Sequence, residues 1–459
     1  MTQPVLFSKS RVLTTISLLI LGLNALPMMW GQASDANSAS PLLTLDDAVR
    51  IASGNNRDVR ISVLNVTKAK ETVAETKTNF LPKLDSYVLA GAPLQQLNFT
   101  VPAGSFGTYP GIGPIPGKES SIRSPQQFGA FAYATAAQPL TQLYKVKLAV
   151  EEARLGIDLA HEGVRGQEQE TRRQVKEAYY QVAQIQVQVE SVKAEVQALT
   201  ELSAITERRL TEQTVLASDS LTVKAKLKQQ RYQLLTLQDS LELQKQNMNR
   251  LLGRDLRTQF RVEMQPVEDI AELDLEIARK QALEQRPEVR EARLQTMTAQ
   301  LDVRRERAEY IPDLSAQVSY LSFQNVNFLP QNAGNVGFLF QWQPFDWGYK
   351  KHKIRELKAV SEQKALTEQD AEQQVLLDVE AKFRKLTEAR VLLDAEADER
   401  QAEQAKLREV TNRYAQQTAL LSDLLQQQSV VSQADAQYEK ALAGFWTSRA
   451  EFEKAIGTN

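Results

Sequence analysis

From Val175 the apolar positions of the chain fall at Ala178, Val182, Ile185, Val189, Val192, Val196 and Leu199, at spacings of 3, 4, 3, 4, 3, 4 and 3 residues. That is the rhythm of a coiled-coil seam, and it predicts a long helix over residues 143–213 with polar side chains on much of its remaining surface. Tyr180, Ala183, Val187, Ala194 and Ala198 trace a second, thinner stripe. Two stripes imply either neighbours on two sides, as in the wall of a tube, or one wide stripe against a bundle core. The rhythm returns at Leu376, Val379, Phe383, Leu386, Leu393 and Ala397, with Arg390 on the seam, where a charge must snorkel or meet another subunit.

Elsewhere the period changes to two. Strands are predicted over 83–93 and 126–138, joined by a loop rich in Gly, Pro and Ser, and again over 313–324 and 333–343. In the last of these Val336, Phe338, Phe340 and Trp342 share one face and Gly337, Leu339, Gln341 and Gln343 the other. Each segment is near the length of a tilted strand that crosses a bilayer, whereas a hairpin packed on a helix is the reading of any one pair alone. Four strands cannot close a barrel, and an open edge in lipid leaves backbone groups unpaired at several kcal/mol each. Strands supplied by copies of the same chain would solve this, three chains giving twelve strands around a lumen.

The chain also repeats itself. Leu45, Ala48, Val59, Arg60 and Pro82 recur as Leu275, Ala278, Val289, Arg290 and Pro312, each 230 positions later. Such self-similarity marks a duplicated unit of helix, two strands, very long helix and shorter helix. The expected divisions are a signal peptide over 1–33, a first repeat over 34–253 with a helix over 44–79 and another over 217–252, a linker over 254–271, and a second repeat over 272–459. At 1.5 Å per residue the long helix would reach about 105 Å, which forbids a sphere. Gly156, Gly163 and Gly166 fall within it and predict backbone crowding, a bend or a frayed turn.

Composition narrows the function. Aromatic residues make up 7% and charged residues 24% of the 459, which favours long amphipathic helices over a thick core. Lys9 and Arg11, the apolar run from Val12 to Leu23 and Gly31-Gln32-Ala33 read as a cleaved secretory signal, the alternative being a membrane anchor that the run is too short to provide. Cleavage near Ala33 would move the net charge from −2 to −4 by removing Lys9 and Arg11, and such a surface is no nucleic-acid footprint. No cysteine is present, which excludes disulfides, thiol catalysis and acylation of an N-terminal cysteine. His161 and His352 are isolated from other metal-ligand residues, and phosphate loops and dinucleotide fingerprints are missing. No catalytic, cofactor or metal site is expected.

The chain resembles the TolC-like outer-membrane efflux proteins from Leu42 to Gly457. The resemblance rests on Leu45-x-x-Ala48 and Leu275-x-x-Ala278, on the strand starts Phe80-Leu81-Pro82 and Tyr310-Ile311-Pro312, and on the strand exits Gln138-Pro139-Leu140 and Gln343-Pro344-Phe345-Asp346-Trp347-Gly348. Glu177-Ala178-Tyr179-Tyr180 and Glu380-Ala381-Lys382-Phe383 add to it. It implies a mainly α fold with a transmembrane β portion: a homotrimer whose twelve-stranded barrel in the outer membrane continues as an α-helical barrel across the periplasm. Its partners would be outer-membrane lipid, a periplasmic adaptor and an inner-membrane pump, in drug efflux or type I secretion. A soluble periplasmic scaffold or adaptor is the rival reading.

By the same resemblance the turns after the long helices are adaptor-docking tips, carried by Arg209, Gln213, Thr214 and Asp219 and by Arg413, Gln417 and Thr418. Gln213 and Gln417 stand where the family usually has glycine, and Leu216 and Leu420 where it has a small hydroxyl residue. Asp423 matches an aspartate that narrows the closed pore, while the second acidic position is Gln426. Three Asp423 carboxylates together would attract cations and repel anions. Alternatively, Ser218-Asp219 and Ser422-Asp423 cap the helices that follow.

Overall fold

A computed structural model of the chain describes residues 41–458 apart from 93, 97, 124–127, 266–273, 325–330 and 417. The expected signal peptide lies outside the described residues. The first pass along the chain comprises α1 (Leu45–Asn55), α2 (Arg57–Thr78), β1 (Lys83–Gly91), the short strands β2 (Asn98–Val101), β3 (Thr108–Tyr109), β4 (Gly113–Pro114) and β5 (Ser120–Arg123), then β6 (Gly129–Pro139), α3 (Gln142–Thr211) and α4 (Ala217–Leu251). The second comprises α5 (Leu275–Gln285), α6 (Pro287–Ala308), β7 (Asp313–Gln324), β8 (Asn332–Gln341), α7 (Tyr349–Ala415) and α8 (Leu421–Ala455).

The helix expected over 44–79 is two helices, because Asn56 starts a new one. Its Oδ1 accepts the N–H groups of Asp58 at 2.8 Å and Val59 at 3.3 Å, satisfying donors that the first turn leaves orphaned. In the second pass Arg286 precedes Pro287, which disfavours helix at Arg286 and opens α6 as its first residue. Each break is gripped by the end of a distant helix. Asn56 Nδ2 donates to the Leu251 carbonyl at 2.8 Å, and Arg286 Nη1 to the Ala455 carbonyl at 3.3 Å. Gly253, at φ +67°, lies so close that an added Cβ would sit 2.2 Å from the Asn55 oxygen; at Gly457 the nearest atom would be Gln285 Cβ at 3.0 Å.

Around these joints lies a belt that holds the core. Phe260, Phe445, Phe452, Met248, Leu252, Val175, Val182, Val289 and Val379 are all fully buried there. The residues expected to form a mere linker contribute to it: Phe260 and Val262 are buried, and Leu42 forms a parallel bridge with Arg261. Gln186 Nε2 donates to the Val262 carbonyl at 3.0 Å, and the Tyr179 hydroxyl donates to that of Glu263 at 3.0 Å. Tyr180 stacks on Trp446 with centroids 5.6 Å apart.

Beyond the belt, α2 and α4 both pack along α3, and α6 and α8 along α7, so two shorter helices flank each long one. On α3, Val175, Ala178, Val182, Val189, Val192 and Leu199 are buried, with Ile185 and Val196 half-buried. The second stripe divides: Tyr180 and Ala183 are buried in the belt, whereas Val187, Ala194 and Ala198 are exposed nearer the tip. On α7 the seam passes through Leu386, Ala389 and Leu393, and Arg390 is exposed, one position off the seam expected for it. Burial also pairs Val175, Val182 and Val189 with Val379, Leu386 and Leu393, an offset of 204. Tyr179 therefore corresponds to Phe383, correcting by one residue the alignment of Glu177 with Glu380. The crowding expected at the α3 glycines is not found: Gly156 faces open space, and a Cβ at Gly166 would meet Pro287 at 3.7 Å, an ordinary contact.

The strands β1, β6, β7 and β8 form one antiparallel sheet in that order. It is joined to the helices by Lys145, which pairs with Glu309 at 2.9 Å and Asp313 at 3.0 Å, and by Thr141 Oγ1, which accepts the Leu314 N–H at 2.8 Å. The hairpins pair with each other, not with their own helices as the scaffold alternative requires.

Candidate functional site: an open sheet and two helical tips

Alternation gives the sheet two unlike faces. Leu84, Ala136, Val318 and Val336 lie in one cross-strand row, with Val88, Ala134, Ala132, Tyr320, Phe338 and Phe340 on the same side. This face is apolar and outward: Val336 is 82% exposed and Leu84 77%. On the opposite face the row Asp85, Thr135, Ser319 and Asn335 is polar and internally bonded. Ser319 Oγ hydrogen-bonds Asn335 Oδ1, and Gln317 Nε2 donates to Thr135 Oγ1 at 3.0 Å. Ser319 is 7% exposed although its neighbour Val318 is 52% exposed, so side chains crowd on the polar side, as they do inside a curl. Both outer strands, β1 and β8, have one edge without a partner strand among the described residues.

At the far end of the helices the two tips share one geometry. The backbone N–H of Thr214 donates to the Arg209 carbonyl at 2.9 Å and its hydroxyl to the same oxygen at 3.0 Å. Thr418 repeats both bonds, at 2.9 and 3.0 Å, onto Arg413. The threonines thus close the carbonyl ends of α3 and α7, a role their spacing after Arg209 and Arg413 could have disclosed. Gln213 holds φ at +57°, the left-handed conformation that suits glycine. Gln417 lies outside the described residues. Arg209 and Arg413 are exposed, as are Gln213, Thr214 and Thr418; Asp219 is half-buried.

The helix starts correct the capping alternative in part. Leu216 and Leu420, both 69% exposed, occupy the cap positions, and Ser218 and Ser422 fall inside the first turn. The Asp423 carboxylate accepts the Leu420 N–H at 3.2 Å, so it does close the turn, yet Leu420 has no side-chain oxygen to return the bond. Asp423 is exposed.

Charges fasten the belt that separates sheet from tips. Glu170 lies between Arg173 and Lys454, at 2.7 and 2.8 Å. The Arg173 hydrogen bond, opposed by burial and helped by Lys454, holds its carboxyl down at about 2. At Glu451 burial pushes the carboxyl up, but Lys382 and Lys385 together outweigh it and the net shift is downward. Among the described residues no group of three or more His, Asp or Glu is placed to hold a metal ion, and no helix is long and apolar enough to cross a membrane. His161 and His352 are exposed helix residues.

Residues 278–458 match the family model described as outer membrane efflux protein. No curated protein matches the chain by sequence. Its fold is that of solved outer-membrane channels: OprN, at 17% identity, covers 90% of each chain with a TM-score of 0.68. CmeC of Campylobacter jejuni, at 14% identity, superposes over 90% of this chain and 85% of its own with a TM-score of 0.71. MtrE of Neisseria gonorrhoeae, in an open state, reaches 0.67 at 17% identity over 90% and 89%. The family match lies on the second pass of a chain whose first pass repeats its elements, and the fold match takes in both. Over residues 278–458 the chain carries the outer membrane efflux protein domain, and along nine-tenths of its length it has the fold of solved outer-membrane channels.

Proposed function

We propose that three copies of this chain form the passive exit duct of a tripartite efflux or type I secretion system. The observation that carries the reading is the four-stranded sheet with an exposed apolar face and, among the described residues, two edges without a partner strand. In lipid, β1 of one copy must pair with β8 of the next, because an unpaired edge there costs several kcal/mol per group. Three sheets give twelve strands, with the Leu84, Val318 and Val336 row against lipid and the Ser319 row lining water. The exposed Val187, Ala194 and Ala198 stripe then meets the neighbouring copy.

The tips are the docking ends for a periplasmic adaptor that couples the duct to an inner-membrane pump. Arg209, Thr214, Arg413 and Thr418 are exposed there, and Gln213, Leu216 and Leu420 give the surface a bulk and apolarity that the usual glycine and hydroxyl residues lack. Asp423 forms a single acidic ring at the constriction, with Gln426 neutral, so cations are favoured modestly.

The reading is tested by fractionation and by single-channel recording. The protein should require detergent, migrate as a heat-labile trimer, and conduct in planar bilayers. Asp423→Ala should raise conductance or weaken cation preference; an unaltered channel removes Asp423 from the gate.

A further inference from the structure

Two rows beyond Ser319, toward the loop end of the sheet, the polar face changes character. Tyr87, Tyr133 and Leu321 form one cross-strand row and Leu89, Phe131 and Phe323 the next on that side. Tyr87 lies 5.7 Å from Phe131 and 5.1 Å from Tyr133 between centroids, and Phe131 lies 5.0 Å from Phe323. The rings are tilted by 56°, 40° and 36°, so none is closed by a parallel stack, and Phe131, Tyr133 and Phe323 are half-buried beside the exposed Tyr87. Four rings and two leucines thus occupy the side that elsewhere carries Thr135, Gln317, Ser319 and Asn335. Tyr87 is 55% exposed and Leu89 70%. Such surface costs free energy against water and gains it when a flat apolar molecule covers it. Ring electrostatics and charge favour one kind of molecule: ring faces attract cations, and Asp85 lies two residues from Tyr87 on the same face, nearer the rings than Lys83 in the row beyond it.

We propose that this patch is a binding collar for planar aromatic cations in transit. The inference rests on the duct reading above, which sets three copies of the patch around one lumen and Asp85 on its helix-facing side. A molecule leaving the helical barrel passes the polar rows first and is retained briefly on the rings before release.

The test uses the full-length protein reconstituted in planar bilayers, with proflavine as the planar aromatic cation and tetraethylammonium as a cation without rings. Proflavine should interrupt the current in resolved events, and tetraethylammonium should not. In the double variant Tyr87→Leu, Phe131→Leu, which keeps apolar bulk and removes the rings, the mean dwell should fall about tenfold, with open-channel conductance kept within about twofold. Dwell times that survive in that variant, or events that tetraethylammonium reproduces, overturn the collar while leaving the duct intact. Absence of any conductance from the unaltered protein overturns the duct, and the collar with it.

Discussion

The belt and the sheet treat apolar residues in opposite ways. In the belt Phe260, Phe445, Phe452 and Val175 are sealed within one chain, and each helix break is closed by a carbonyl from elsewhere in the same chain. In the sheet Leu84, Val88, Val336 and Phe338 are more than two-thirds exposed, and among the described residues two strand edges have no partner. The belt is closed within the one chain, whereas the sheet keeps an exposed apolar face and, among the described residues, two edges without partner strands, which the proposed duct would cover with lipid and further strands. The difference separates what folds the chain from what lets it work in a membrane.

The largest expected effect tests the finished end. Gly253→Ala must push a methyl group into the Asn55 carbonyl and force a left-handed residue, costing about 4 kcal/mol; Gly457→Ala, with its nearest contact at 3.0 Å, should cost about half as much. Thermal unfolding in detergent reads both, and equal losses would refute the unequal tightness of the two joints. Next comes the unfinished end: Phe338→Lys places a charge on the apolar face and should cost about 3 kcal/mol of insertion, while Asn335→Lys on the opposite face should insert normally. Equal amounts of both in the membrane fraction would reverse the assignment of faces.

A smaller effect belongs to pH. Glu170 titrates near 2 in the folded chain against 4.5 ordinarily, so its pairing with Arg173 and Lys454 stabilises fully above pH 4.5 and is lost as pH falls from 4.5 toward 2. Because the group is partly open to water, the loss is about 1 kcal/mol. Glu170→Gln should flatten the melting temperature across that interval, and an unchanged slope would mean that other carboxylates carry the acid sensitivity. The smallest concerns the tip, where Gln213→Gly should relieve left-handed strain and slow exchange of the Thr214 amide, a gain of about 0.5 to 1 kcal/mol.

Much of the fold was legible because periodicity reports burial. The seam from Val175 to Leu199 is the buried line of α3, and Asp313–Gln324 is strand over the predicted range. What escaped depended on partners distant in sequence. Phe260 and Val262 sit in a polar-looking connector and are buried because Tyr179 and Gln186 of α3 bind its backbone. Arg390 lies on an ideal heptad and off the real one, since the α7 seam drifts to Ala389. Two signals were local and could have been used: Asn56 as a helix start, and Pro287 as a first helical residue. The tips illustrate a different gap. Their residues stand out by departure from a family pattern, and the spacing of Thr214 after Arg209 and of Thr418 after Arg413 hints at a cap, but the pair of hydrogen bonds from each threonine to one arginine carbonyl is measured only in three dimensions.

Most directly decisive is the mass of the detergent-extracted protein, measured by light scattering with the micelle contribution subtracted. Three chains per particle, recovered from the membrane fraction, is the expected result. A single chain that stays dispersed in water without detergent would contradict it, because the open edges of β1 and β8 and the bare Val336 face would then need neither copies nor lipid.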